Sequence, residues 1–169
     1  MNQSETASRH TISLYVNNKP GVLNRIALVF SRRGWNIESL AVSSAHDERF
    51  SRCTITAFGD PDMLTRIIGQ LGKLVDVVHA AEHTFDESFE AELALIKVRA
   101  VADDHMRVVE TAAPWSARVV DRSAGTMVLQ VAGDPLDVEQ LHRTLSDTFE
   151  VIEIVRSGPL RMVRGEEET

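Results

Sequence analysis

"GDPDMLTRIIGQL" (Gly59–Leu71) is answered later in the chain by "GDPLDVEQLHRTL" (Gly133–Leu145). Both stretches open with Gly-Asp-Pro. An Asp followed by Pro reads as a helix start, because the carboxylate accepts free backbone N–H groups. Proline at the first helical position gives up an N–H that has no helical partner there. Carrying the same offset along the chain sets Leu64 against Val138, Ile67 against Leu141, Leu71 against Leu145 and Val77 against Val151. Apolar positions recur in register, so the chain reads as a tandem repeat.

Working outward from the first copy, "HTISLYVN" alternates, with Ile12, Leu14 and Val16 on one face, and reads as a strand. From Gly21 to Arg33 the apolar positions Val22, Leu23, Ile26, Ala27, Val29 and Phe30 fall at helical spacing, and Gly34 suits a C-terminal cap. "NIESLAVSSA" and "SRCTITAFG" read as strands joined by "HDERF"; the Asp60–Leu74 helix and the strand "VDVVHAAEHT" follow. The order is βαββαβ. The second copy repeats it: strand "AELALIKVRAVA", a short helix "DDHMRVVETAAP" with Asp103 and Asp104 as caps, hairpin "ARVVDRS"–"GTMVLQVAG", a helix from Asp134 and strand "FEVIEIVRSG". The predicted fold class is α+β, two tandem ferredoxin-like βαββαβ units. Residues 1–9 are expected to be a disordered lead-in, 10–84 the first unit, 85–91 an acidic joint, 92–160 the second unit and 161–169 a tail. Such a unit carries both helices on one sheet face. In "SRCTITA" the positions Cys53, Ile55 and Ala57 are apolar and alternate with Arg52, Thr54 and Thr56, so the second face is mixed and a homodimer is expected.

Composition narrows the chemistry. The 169 residues are 43% hydrophobic, 25% charged and 5% aromatic, with a net charge of −7, a globular profile. An acidic chain whose nearest basic run is "SRRG" is a poor nucleic-acid binder. A βαββαβ sheet also occurs in RNA-binding modules, but "SRCTITAF" offers only Phe58 as a stacking aromatic and no basic flank. A single cysteine, the absence of a long apolar run and an opening "MNQSETASRH" with no apolar core point to a cytoplasmic protein.

No catalytic constellation emerges. His79 and His83 are four apart but on a strand, where that spacing does not converge on a metal. Cys53 alternates within a strand and reads as a buried small hydrophobe rather than a nucleophile. Asp86, Glu87, Glu90 and Glu92 read as a solvated acidic stretch, and neither G-x-G-x-x-G nor a P-loop is present. What remains is "NNKPGVL" (Asn17–Leu23), a loop that opens directly into a helix. A helix N-terminus offers unpaired N–H groups and partial positive charge to an anion such as a carboxylate. Asn18 can cap the helix or bond a ligand, Pro20 fixes the loop, and Gly21 lets a ligand approach the backbone. The same residues also make a good helix start with no ligand at all.

A unit of this order with an Asn-x-Pro-Gly-x-Leu loop resembles an ACT domain, a small-molecule-binding regulatory module. The longer text "NNKPGVLNRIALVFSRRGWNIESLAVS", "SRCTIT", "QLGKLVDVV" and "EVIEIVRSG" resembles the small regulatory subunit family of acetohydroxyacid (acetolactate) synthase, over nearly the whole chain. The resemblance implies a non-catalytic protein without cofactors of its own. Its partner would be a large catalytic subunit holding thiamine diphosphate, a divalent metal (Mg) and FAD, serving branched-chain amino-acid biosynthesis, valine and isoleucine included. The small subunit would activate that partner and confer feedback inhibition by valine bound between two ACT units. Carried onto this sequence, the effector site comprises Asn18, Lys19, Pro20, Gly21, Val22 and Leu23, with Asn36 and Ile37 supplied by the other copy. Backbone N–H groups near Gly21–Leu23 would hold the carboxylate, the Asn18 and Asn36 amides the polar end, and Ile37 the branched side chain. A stand-alone amino-acid sensor of the same module acting on a different partner is the alternative.

Overall fold

The computed structural model describes residues 7–82 and 88–166. The expected lead-in therefore lies outside the described residues except at its end, as do His83, Asp86, Glu87 and the last part of the tail. The described residues form two compact units: 7–82 with 88–89 and 160–166, and 90–159.

The first unit runs β1 (Ser8–Asn17), α1 (Val22–Ser31), β2 (Ser39–Ser44), β3 (Phe50–Gly59), α2 (Pro61–Leu71) and β4 (Val77–Glu82). Its antiparallel sheet has the order β2-β3-β1-β4, and Ile12, Leu14 and Val16 sit opposite Ile55, Cys53 and Ser51. These strand residues bury one face against Val22, Ile26 and Phe30 of α1 and Leu64, Ile67 and Leu71 of α2. Each such side chain contributes about 1.5–3 kcal/mol on leaving water. The helix ends behave as their residues dictate. Asp60 Oδ1 accepts the Met63 N–H at 2.6 Å. At the end of α1, Gly34 takes φ 68°; its N–H reaches Ser31 O at 3.1 Å while the Trp35 N–H reaches Phe30 O at 3.1 Å. This pair of bonds is the Schellman closure that a left-handed glycine permits. The other sheet face carries Thr11, Ser13, Thr54 and Thr56, all buried. Among the described residues, Ser13 Oγ is buried without a hydrogen-bond partner.

The second unit carries β5 (Ser88–Arg99), whose first two residues group with the first unit, then α3 (His105–Ala112), β6 (Arg118–Ser123), β7 (Thr126–Gly133), α4 (Pro135–Thr148) and β8 (Val151–Arg156); the short β9 (Leu160–Val163) that follows groups with the first unit. The sheet order of the second unit is β6-β7-β5-β8, and β9 pairs β5. The Gly-Asp-Pro signal works again: Asp134 Oδ1 accepts the Leu136 N–H at 2.8 Å. Ile96, Val98, Met127, Leu129, Val138, Leu141 and Leu145 form the core. The Asn-Lys-Pro-Gly loop has no counterpart here. The β5–α3 connection is a 3-10 turn, Ala102–Asp104.

Several sequence expectations shift. β1 begins at Ser8, within the expected lead-in, and β5 begins at Ser88, within the expected acidic joint. Glu90 and Glu92 are buried rather than solvated, and the Arg156 guanidinium holds the Glu92 carboxylate through Nε (3.0 Å) and Nη2 (2.6 Å). Residues 160–163, at the start of the expected tail, pair as β9. Asp104 makes no side-chain cap; its Oδ1 accepts from Arg107 at 3.2 Å. No helix of the described residues is long and apolar enough to cross a membrane.

Candidate functional site

The β1–α1 loop is held by a carboxylate distant in sequence. Asp76, on the turn before β4, accepts the Asn17 backbone N–H through its carbonyl at 2.8 Å. Its side chain accepts from Asn17 Nδ2 at 3.4 Å and from Arg25 Nη2 at 2.5 Å. Burial alone would raise the Asp76 pKa. The hydrogen bonds from Arg25 and Asn17, with the charges of Arg25 and Lys19, outweigh that and hold the carboxyl below its ordinary value. One residue therefore fixes both the start of the loop and the first turns of α1.

Asn18 does not cap the helix. Its backbone N–H reaches Arg49 O at 2.7 Å and its amide donates to Glu48 O at 3.0 Å, so it ties the loop to the β2–β3 turn. Gly21 occupies the N-cap position at φ 82°, and α1 has no side-chain cap. The Val22 N–H is taken by Lys19 O at 3.3 Å. That removes Val22 from the donors expected for a ligand, while the following first-turn N–H groups have no intrahelical partner.

The loop roofs a cleft of about 210 Å³ lined by Val16, Asn17, Asn18, Lys19, Val22, Leu23, Ile26, Val42, Ser51 and Cys53. Val16, Val22, Ile26 and Cys53 form an apolar floor continuous with the core, while Leu23 and Val42 stand half-exposed at the rim. Asn17, Asn18, Lys19 and Ser51 supply the polar lining. The volume lies below the ~300–1,000 Å³ of drug-sized sites, so the cleft suits one small metabolite. An apolar floor, amide and hydroxyl groups, an ammonium and an uncapped helix start together suit a molecule that is apolar at one end and carries a carboxylate at the other.

Burial raises the Cys53 pKa to about 11, so the thiol stays protonated and packs as an apolar group. Of the residues expected from sequence, Asn18, Lys19, Val22 and Leu23 line the cleft. Pro20 and Gly21 shape its roof without lining it. Asn36 and Ile37 do not join it within one chain: the exposed Asn36 amide donates to Glu38 Oε1 at 2.9 Å, and Ile37 packs half-buried on the core. Val16, Asn17, Ile26, Val42, Ser51, Cys53 and the anchoring Asp76 were not singled out for the site. Alternation put Cys53 on the apolar face, but only the pairing Val42↔Cys53 brings β2 to the cleft.

Residues 12–79 match the family described as "AHAS small subunit-like ACT domain", and residues 91–165 match "Small subunit of acetolactate synthase". The chain is 43% identical over 156 residues to the acetolactate synthase small subunit of Mycobacterium leprae, covering 92% of each. It is 40% identical over 157 residues to a probable acetolactate synthase small subunit of Archaeoglobus fulgidus, covering 93% of this chain and 98% of that one. The crystal structure of the acetolactate synthase small subunit from Thermotoga maritima superposes with a TM-score of 0.82 at 31% identity, over 95% of this chain and 99% of that one.

Proposed function

The chain belongs to the acetolactate synthase small-subunit family, and from that premise we propose that it is the regulatory, non-catalytic partner of a thiamine-dependent large subunit in the cytoplasm. It raises the activity of that subunit and makes it sensitive to valine. The observation that carries this reading is the small amphiphilic cleft under the β1–α1 loop. The isopropyl group of valine fits the floor formed by Val16, Ile26 and Cys53. Its carboxylate meets Lys19 and the uncapped start of α1, and its ammonium finds the oxygens of Asn17 and Ser51. A second copy of the chain, docked as an ACT dimer, adds Asn36 and Ile37 across the mouth. A pocket of this kind separates side chains differing by one methylene by only about 1–3 kcal/mol, so leucine and isoleucine bind with graded strength.

The test is reconstitution. The purified chain is mixed with the catalytic subunit, and acetolactate formation is followed with and without valine. Activity is expected to rise several-fold on mixing, with valine inhibiting only the mixture. Acetolactate formation by this chain alone would overturn the non-catalytic reading. Valine binding without any effect on the large subunit would identify a stand-alone sensor for another partner.

A further inference from the structure

The first unit has a second concavity, of about 390 Å³, between the C-terminal half of α1 and the end of α2, and it is lined by Arg25, Leu28, Val29, Arg32, Arg33, Gln70 and Leu74. Three arginines line it and no carboxylate does, in a chain whose net charge is −7. Arg25 is committed to Asp76. Arg33 lies over the Trp35 ring at 5.6 Å. Arg32 is exposed and has no ion pair among the described residues. Leu28, Val29 and Leu74 give the groove an apolar floor, and Val75, next in sequence, is 90% exposed.

Arginine at the end of a helix complements the helix dipole, which accounts for one or two charges there. It does not account for the apolar floor beneath them. A compact phosphate is a poor occupant. The groove sits at helix C-termini, where carbonyls rather than N–H groups face outward, so no backbone cradle supplements the side chains. An extended polypeptide that sets carboxylates against Arg32 and Arg33 and an apolar side chain on the floor uses these features, since planar guanidiniums pair bidentately with carboxylates.

We propose that this arginine-lined groove between α1 and α2 docks an acidic, partly apolar segment of the catalytic large subunit. The inference rests on the family reading above and deepens it. The groove is lined by Arg25, and Asp76 ties Arg25 to the effector loop, so docking and effector site share one anchor.

The experiment compares the full chain with Arg32→Glu/Arg33→Glu and with the milder Arg32→Gln/Arg33→Gln, leaving Arg25 intact. Association with the catalytic subunit is measured by calorimetry at low and moderate salt, valine binding by calorimetry on the small subunit alone, and the mass of the chain alone by sedimentation. The expected result is association weakened at least tenfold by charge reversal and less by neutralisation. The salt dependence of the wild type should be reduced in both variants, with valine binding and sedimentation unchanged. Undiminished association by the charge-reversed variant overturns the proposal. A changed mass of the chain alone also overturns it, by making the groove a contact between copies. If the wild-type chain fails to associate with the catalytic subunit at all, it is the family-based function that fails, not the placement of the groove.

Discussion

Gly21→Asp tests the cleft at its roof. Gly21 sits at φ 82°, where an L-residue costs about 1–2 kcal/mol, aspartate at the lower end because it tolerates the left-handed region. The new Cβ meets only the flexible end of Arg25, with Nη1 at 3.4 Å, so the backbone does not have to move far. The larger effect is electrostatic. A carboxylate at the start of α1 competes with the valine carboxylate for the same N–H groups and for Lys19, and it offers Arg25 an alternative to Asp76. A charge-assisted hydrogen bond is worth roughly 1.5–3 kcal/mol, so the loss of one weakens valine binding about tenfold to a hundredfold at ~1.4 kcal/mol per decade. Gly21→Ala carries the strain without the charge and should lose clearly less affinity. The assay is calorimetric valine titration of the small subunit, paired with valine inhibition of the reconstituted synthase and a thermal melt. The expected variant is folded, activating and valine-insensitive. Wild-type valine affinity in Gly21→Asp would refute the placement of the carboxylate, and equal losses in the Asp and Ala variants would refute the charge argument.

Val42→Phe places a larger side chain at the half-exposed rim of the cleft, so valine affinity should fall at least tenfold while the melting temperature stays near wild type; an unchanged titration would take β2 out of the site. Asp76→Asn should lower the melting temperature at neutral pH and weaken valine binding by freeing Asn17 and Arg25. Because the folded-state pKa of Asp76 is depressed below 3.8, its contribution is present above that value and is lost as pH falls through the depressed one. The gap between wild type and Asp76→Asn should therefore close only on the acid limb of a pH–melting profile, and a gap that closes near neutrality would point to another group. Ser13→Ala removes a buried hydroxyl with no partner among the described residues and should raise stability by about 1 kcal/mol in urea unfolding; a loss of that size would mean the hydroxyl is satisfied.

What could be read from sequence was local. Gly-Asp-Pro specifies a helix start through bonds that span two or three residues, so both α2 and α4 were legible to the cap. The same holds for the repeat, the βαββαβ order and the half of the cleft that lies on one loop. The other half was not legible, because it depends on pairings between distant strands. Val42 and Cys53 meet through strand register, and Asp76 reaches Asn17 and Arg25 from 59 and 51 residues away. Glu92 reads locally as one of a solvated acidic stretch, and its burial depends on Arg156, 64 residues on. β9 lies outside the repeat and has no counterpart in the first copy to announce it.

The two units share an order of elements but not the connection between first strand and first helix. Where the first places Lys19, Pro20 and Gly21 ahead of α1, the second places Asp103 and Asp104 ahead of α3. Carboxylates at that position, Asp104 held by Arg107, are unfavourable to the anion that a lysine and an open helix start attract. On the proposed reading, the duplication leaves one receptive and one refractory copy. The effector stoichiometry of a dimer would then follow the number of chains rather than the number of repeats, and calorimetry is expected to count one valine per chain.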